Sequence, residues 1–175
     1  MNILTLSGSL RTVSSNAATL DAAALLAPEG MVLRRYTGLA TLPHFNPDLD
    51  GDAPPAEVLE LRRLVGAADG LVLSSPEYAH GMAGSFKNAL DWLVRSLEFP
   101  GKPVALINVA PRAGHAEAQL REVLITMSAR LVEEAMLTLP IQGSKLNAAG
   151  IAASPAFAGP LRAMLEQLRG AIEAG

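Results

Sequence analysis

An α/β fold with a parallel sheet and helices on both faces is what this sequence predicts, on three observations. Short apolar runs, ILTL at 3–6, GLVLSS at 70–75 and PVALINVA at 103–110, are too brief for independent helices and read as buried strands. Longer segments with helical periodicity separate them. At 175 residues, half of them hydrophobic, the chain can build one sizeable core and not two, so residues 1–175 are read as a single domain.

Taken in order, ILTL is the first strand and the alanine-rich AATLDAAALLA the first helix. MVLRRY at 31–36 is a weaker second strand. Val58, Leu61, Leu64 and Val65 mark a second helix, and GLVLSS the third strand. In the next helix Phe86, Leu90, Leu93 and Leu97 share one face, while Lys87, Asp91 and Arg95 follow at intervals of four on another. PVALINVA is the fourth strand. Leu120, Leu124 and Met127 set a further helix, a piece of LVEEAMLTL at 131–139 the fifth strand, and Leu161, Met164, Leu165, Leu168 and Ile172 the last helix. Five strands alternating with five helices imply βα units with right-handed crossovers. Ligands of such sheets bind beyond the carboxyl ends of the strands, where strand order reverses. Three loops should therefore converge: SGSLRTVSSN at 7–16, SPEYAHGMAGS at 75–85 and APRAGH at 110–115.

Composition removes several functions. The net charge is −3 and the 14 basic residues are scattered, so neither nucleic acid nor a membrane surface is expected as a partner. Without cysteine there is no disulfide, thiolate zinc site or thiol nucleophile, and the three histidines lack zinc spacing. No apolar segment approaches the ~20 residues of a membrane span, so a cytoplasmic location is expected. GxxxxGK[ST], GxGxxG and GxSxG are all missing from the loops where a nucleotidase, a dinucleotide fold or a hydrolase would carry them.

The first loop places hydroxyls, one glycine and one arginine ahead of a helix. Free backbone N–H groups and the positive end of the helix dipole suit a phosphate dianion there, with Ser9, Ser14 and Asn16 as donors and Arg11 as the cation. The competing reading makes Ser14 or Ser15 a plain N-cap, which leaves Ser9 and Arg11 unexplained. In the second loop Pro76 ends a strand, Gly81 and Gly84 permit unusual backbone angles, and Ser85 can cap the helix that follows. Tyr78 and His80 can lie against a flat ring, and Glu77 can accept from a hydroxyl or ring N–H; singly, each reads as an ordinary loop residue. Together, opposite a phosphate loop, they point to a phosphorylated aromatic cofactor such as FMN.

GSLRTVSSN at 8–16 with SPEYAHGMAGSFKNALDWL at 75–93 closely resembles the NADPH-dependent FMN reductase family, which includes chromate, quinone and azo reductases. LPHFNPDLD at 42–50 and AEAQLREVL at 116–124 extend the likeness over most of the chain. The resemblance implies a flavodoxin-like five-stranded sheet of order 2-1-3-4-5 and non-covalent FMN. Ser9, Arg11, Ser14, Ser15 and Asn16 would hold its phosphate, and Pro76, Glu77, Tyr78, Ala79, His80 and Gly81 would line its ribityl chain and ring. It also implies NADPH or NADH as reductant and a small-molecule acceptor such as a quinone, an azo compound, flavin or chromate. The two substrates would use one flavin face in ping-pong succession, so no catalytic residue is assigned. A homodimer or dimer of dimers is expected, with the proline-rich loop Thr37 to Pro55 and Trp92 as candidate contacts. The chain departs from many relatives at Ala79, where they carry asparagine, at Ala83, where they carry proline, and after strand four, where only Gly114 stands in for a glycine-rich segment. A flavodoxin-like electron carrier and a catalytically silent binder of another phosphorylated ligand or a partner protein are the alternative readings.

Overall fold

The computed structural model describes residues 1–112 and 114–175. Its strands are β1 (Asn2–Ser7), β2 (Val32–Arg35), β3 (Gly70–Ser74), β4 (Glu77–Tyr78), β5 (Gly81–Met82), β6 (Pro103–Asn108), β7 (Arg130–Leu131) and β8 (Leu137–Thr138). Its helices are α1 (Ser15–Leu25), α2 (Ala56–Ala67), α3 (Gly84–Leu93), α4 (Gly114–Thr126), α5 (Ala148–Ala153) and α6 (Pro155–Glu173). The main sheet runs β2-β1-β3-β6 and continues with β7 and β8, which both pair with β6; every pairing in it is parallel.

Residue alternation along the strands divides the core in two. Leu4, Leu6, Leu71, Leu73, Val104 and Leu106 meet Val58, Leu61, Phe86, Trp92, Leu120 and Leu124 of α2, α3 and α4. Ile3, Val72, Ala105 and Ile107 face the other way, onto Leu20 and Ala23 of α1 and Leu161, Leu165 and Leu168 of α6. This is the doubly wound, flavodoxin-like arrangement expected.

Four details differ from the sequence reading. The fifth strand is split into β7 and β8 by a short 3-10 turn, Glu133–Ala135. An unbroken strand would turn one of the adjacent Glu133 and Glu134 carboxylates toward a buried sheet face, a costly placement that the turn avoids. Helix α3 stops at Leu93, so Leu97 is 92% exposed instead of joining the apolar face, and Phe99 enters the core beyond it. Ser85 does not cap α3: Ala83 is the cap residue, without a side-chain bond, and the Ser85 hydroxyl reaches back to the Gly8 carbonyl at 3.4 Å. Helix α5 was not anticipated; Asn147 caps it by accepting from Gly150 N–H at 2.8 Å.

The proline-rich loop is fastened within its own chain. Asn88 accepts from Phe45 N–H at 2.7 Å and donates to the Pro43 carbonyl at 2.9 Å, which also receives Trp92 Nε1–H at 2.8 Å. Phe45 packs edge-on against Trp92, with ring centroids 5.1 Å apart. Buried Asp50 pairs with Arg62 at 2.8 Å, and Arg95 donates to the Asp50 carbonyl. Trp92 is fully buried, a core residue with no surface to offer a second subunit.

Candidate functional site

β1 connects to β2 on one side and the chain then crosses to β3 on the other, so the carboxyl ends of β1 and β3 flank the point where strand order reverses. A cleft opens there. It is lined by Ser9, Arg11, Ser14, Ser15 and Asn16 from the first loop and Ser75, Pro76, Glu77 and Tyr78 from the second, with Val109, Ala110 and Gln142 closing it.

The first loop is tied down at both ends. Gly8 N–H donates to the Ser74 carbonyl at 2.8 Å, and a Cβ on Gly8 would meet Ser75 Oγ at 2.9 Å and Phe86 Cβ at 3.1 Å, so glycine is needed for this close approach. Ser14 is the N-cap of α1 and accepts from Ala17 N–H at 3.2 Å. Its capping role is therefore real, and it leaves the question of the other amides. Among the described residues, the backbone N–H groups of Leu10, Thr12, Val13, Ser14, Ser15 and Asn16 find no acceptor. The exposed Arg11 guanidinium likewise has no ion pair or hydrogen bond among the described residues. A run of unpaired donors beside a free cation is the chemistry a phosphate dianion requires. Asn16 is 6% exposed, and its side-chain oxygen is bonded to Ser74 Oγ at 2.8 Å, which anchors α1 to the sheet beneath the loop.

The second loop forms a small antiparallel hairpin, Glu77 opposite Met82 and Tyr78 opposite Gly81. Its tip holds Ala79 at φ 49° and His80 at φ 60°. Two left-handed residues in succession make the primed turn that suits hairpin twist, and asparagine and glycine are the residues that adopt it at least cost. The unusual angles thus fall on Ala79 and His80 and not on Gly81 or Gly84. Gly81 is closely packed: a Cβ there would stand 3.2 Å from Gln119 Oε1 of α4, which accepts from Met82 N–H at 2.8 Å and would have to give by a few tenths of an ångström. Ala83 N–H is bonded to Ser75 Oγ at 3.3 Å, so these two amides are engaged by the protein itself.

Eight of the eleven residues expected at the site line the cleft; Ala79, His80 and Gly81 do not. His80 turns away to meet His115 edge-on, with ring centroids 4.4 Å apart. Glu77 is neither solvated nor free: its Oε2 accepts Ala116 N–H at 2.9 Å in the first turn of α4, locking the hairpin to that helix. Tyr78 is half exposed and offers its ring to the cleft. The third loop contributes Ala110, whose N–H is held by Asn108 Oδ1 at 2.9 Å, while Glu117 accepts from Asn108 Nδ2 at 3.0 Å. Ala113 of that loop lies outside the described residues. Gln142 was missed. It follows β8, and its N–H donates to the Val109 carbonyl at 2.9 Å; its one signal was a place beyond the carboxyl end of the fifth strand, whose limits the sequence left vague.

The profile of the NADPH-dependent FMN reductase family matches residues 1–143, which include the whole first loop, the hairpin and Gln142. The chain belongs to the NADPH-dependent FMN reductase family. An NAD(P)H-dependent FMN reductase of Pseudomonas aeruginosa is 40% identical over 130 residues, 71% of this chain and 70% of that one. A quinone reductase of Escherichia coli is 33% identical over 141 residues, covering 77% and 74%. Among solved structures, FerB, a flavoenzyme NAD(P)H:(acceptor) oxidoreductase from Paracoccus denitrificans, superposes with a TM-score of 0.87 at 27% identity over 99% of this chain and 97% of its own. This FMN reductase family member is thus an NAD(P)H-dependent oxidoreductase with FMN as its cofactor. The donor set of the cleft fits that cofactor: unpaired N–H donors and a cation on one side, the half-exposed Tyr78 ring with Pro76, Val109 and Ala110 on the other. Among the described residues no helix is long and apolar enough to cross a membrane.

Proposed function

We propose that the chain binds FMN in this cleft and transfers reducing equivalents from NADH or NADPH to quinones, with azo compounds, free flavin and metal oxyanions such as chromate as further acceptors. The observation that carries the reading is the meeting of two loops some 60 residues apart in sequence, one rich in unpaired N–H donors and the other bearing Tyr78, in one cleft at the switch point. The Ser9 and Ser14 hydroxyls, the free amides and Arg11 hold the phosphate. Tyr78, Pro76 and the Val109–Ala110 backbone orient the ring system. When bound, the cofactor supplies the hydride chemistry; the protein supplies position and access.

The half-exposed Tyr78 leaves the ring side of the cleft open, so donor and acceptor use it in turn. Steady-state oxidation of NAD(P)H by a quinone, with the FMN-loaded protein, tests this: parallel double-reciprocal lines are expected, and intersecting lines would overturn the shared face. Few buried polar groups line the ring side, so discrimination among planar quinones is weak. The protein assembles as a homodimer or dimer of dimers. Val94 and Leu97, beyond the end of α3, together with Leu49 and Leu59, are exposed apolar side chains that such an interface would cover. Sedimentation that finds only an 18.3 kDa species would refute the assembly.

A further inference from the structure

The FMN cleft does not end at Ala110. A second depression, with about 590 Å³ of open space, continues from it over Pro111, Arg112 and Pro140 and shares Val109, Ala110 and Gln142 with it as a common wall. That wall is rigid. The Val109 carbonyl takes two N–H donors, from Ile141 at 3.2 Å and Gln142 at 2.9 Å. Ala110 N–H is held by Asn108, which Glu117 holds in turn. Pro111 and Pro140 each have a fixed φ. The surface is therefore formed before any ligand arrives.

Arg112 is the charged side chain of this wall. It is exposed, and among the described residues no carboxylate lies within ion-pair distance and no hydrogen-bond acceptor engages it. The Glu77 and Glu117 carboxylates of the adjoining hairpin and helix are already committed, to Ala116 N–H and to Asn108. A cation kept free at the edge of an apolar, proline-stiffened surface is placed for an anion on a ligand whose flat part lies against that surface.

We propose that Arg112 is a specificity-determining residue, which meets an anionic group on the molecule lying over the outer end of the FMN cleft. This rests on the cofactor reading above. Two molecules carry such a group: the reductant, through the 2′-phosphate that distinguishes NADPH from NADH, and the acceptor, through an acidic substituent on a planar ring. Arg112 then makes the protein favour the member of either pair that bears the additional anionic group, a preference the weakly discriminating ring face does not itself provide.

Calorimetric titration of the FMN-loaded protein and its Arg112→Gln variant tests the assignment without turnover. The ligands are NADP+ against NAD+, and naphthalene-2-sulfonate against naphthalene-2-sulfonamide. The expected result is a roughly tenfold fall, in the variant, of the affinity ratio between the member bearing the extra anionic group and the member lacking it, in at least one pair, the scale of one charge-assisted hydrogen bond. A change in the nucleotide pair alone assigns the residue to the reductant's phosphate, and a change in the naphthalene pair alone assigns it to an acidic acceptor. Ratios that stay constant in both pairs overturn the proposal. FMN affinity is measured on the same samples: wild-type protein that takes up no FMN would sink the cofactor reading instead.

Discussion

Replacing Arg11 by alanine isolates the charge at the first loop. The guanidinium has no protein partner among the described residues, so its removal orphans no buried carboxylate and leaves the Ser14 cap in place. Its effect should therefore appear in ligand binding and not in folding. A hydrogen bond to a charged group contributes ~1.5 to 3 kcal/mol. Arg11 is exposed, and water and salt screen it, which favours the lower end of that range. The six acceptor-free amides of residues 10 and 12–16 remain available to an FMN phosphate under the proposed function. The expected loss is about 1.5 kcal/mol, or roughly a tenfold rise in the FMN dissociation constant. Quenching of flavin fluorescence reads it directly, with riboflavin as the control because it lacks the phosphate. Riboflavin affinity should hardly move, and the FMN difference should shrink as salt rises from 0.05 to ~0.5 M. Equal losses for both flavins would refute the phosphate role of Arg11.

The strained hairpin tip predicts that Ala79→Asn stabilises the protein by about 0.5 to 1 kcal/mol, since asparagine tolerates the left-handed φ of 49° better than alanine; thermal melts should rise by one to a few degrees, and a lower midpoint would contradict the turn assignment. Asn88→Ala removes both side-chain bonds to Pro43 and Phe45, so urea unfolding should show a loss of about 2 kcal/mol, with faster proteolysis within residues 41–50; cleavage at the wild-type rate would show that Asn88 does not fasten the loop. Burial, aided by the Glu60 and Glu57 carboxylates, pushes the Tyr36 phenol up from 10.0 to about 12. Because the folded pKa is the higher one, the stability it contributes is intact below pH 10 and is lost as pH rises toward 12, by about 2 to 3 kcal/mol. Tyr36→Phe should flatten the stability profile over that window, and an unaltered profile would remove Tyr36 as the cause.

Much of the fold was legible because buried strands and amphipathic helices have different periods. Leu4 and Leu6 against Ile3, or Phe86 with Leu90 and Leu93, declare their faces in the sequence alone. The break between β7 and β8 was harder, since a split edge strand and a continuous one share the same apolar letters, and only the pair Glu133–Glu134 hinted at it. Leu97 misled for a related reason: its spacing continued the helical stripe, but the chain had already turned. At the site, the place of the first loop in the cleft could be read from its residue types, because hydroxyls, one glycine and one arginine before a helix have few other uses in concert. The hairpin could be located and not oriented. That His80 meets His115, that Glu77 caps α4 and that Gln119 holds Met82 all depend on α4 packing across the loop, a contact between segments nearly 40 residues apart that no local pattern encodes.

Under the proposed function the cleft between the first loop and the hairpin holds FMN in a form reducible by nicotinamide. Anaerobic titration of the purified protein with FMN, followed by NADPH or NADH and monitored through the visible spectrum, tests it most directly. The account predicts one FMN per chain, with flavin absorption that is perturbed on binding and bleaches when the nicotinamide is added. Failure to take up FMN, or bound flavin that stays oxidised in the presence of both nicotinamides, would contradict it.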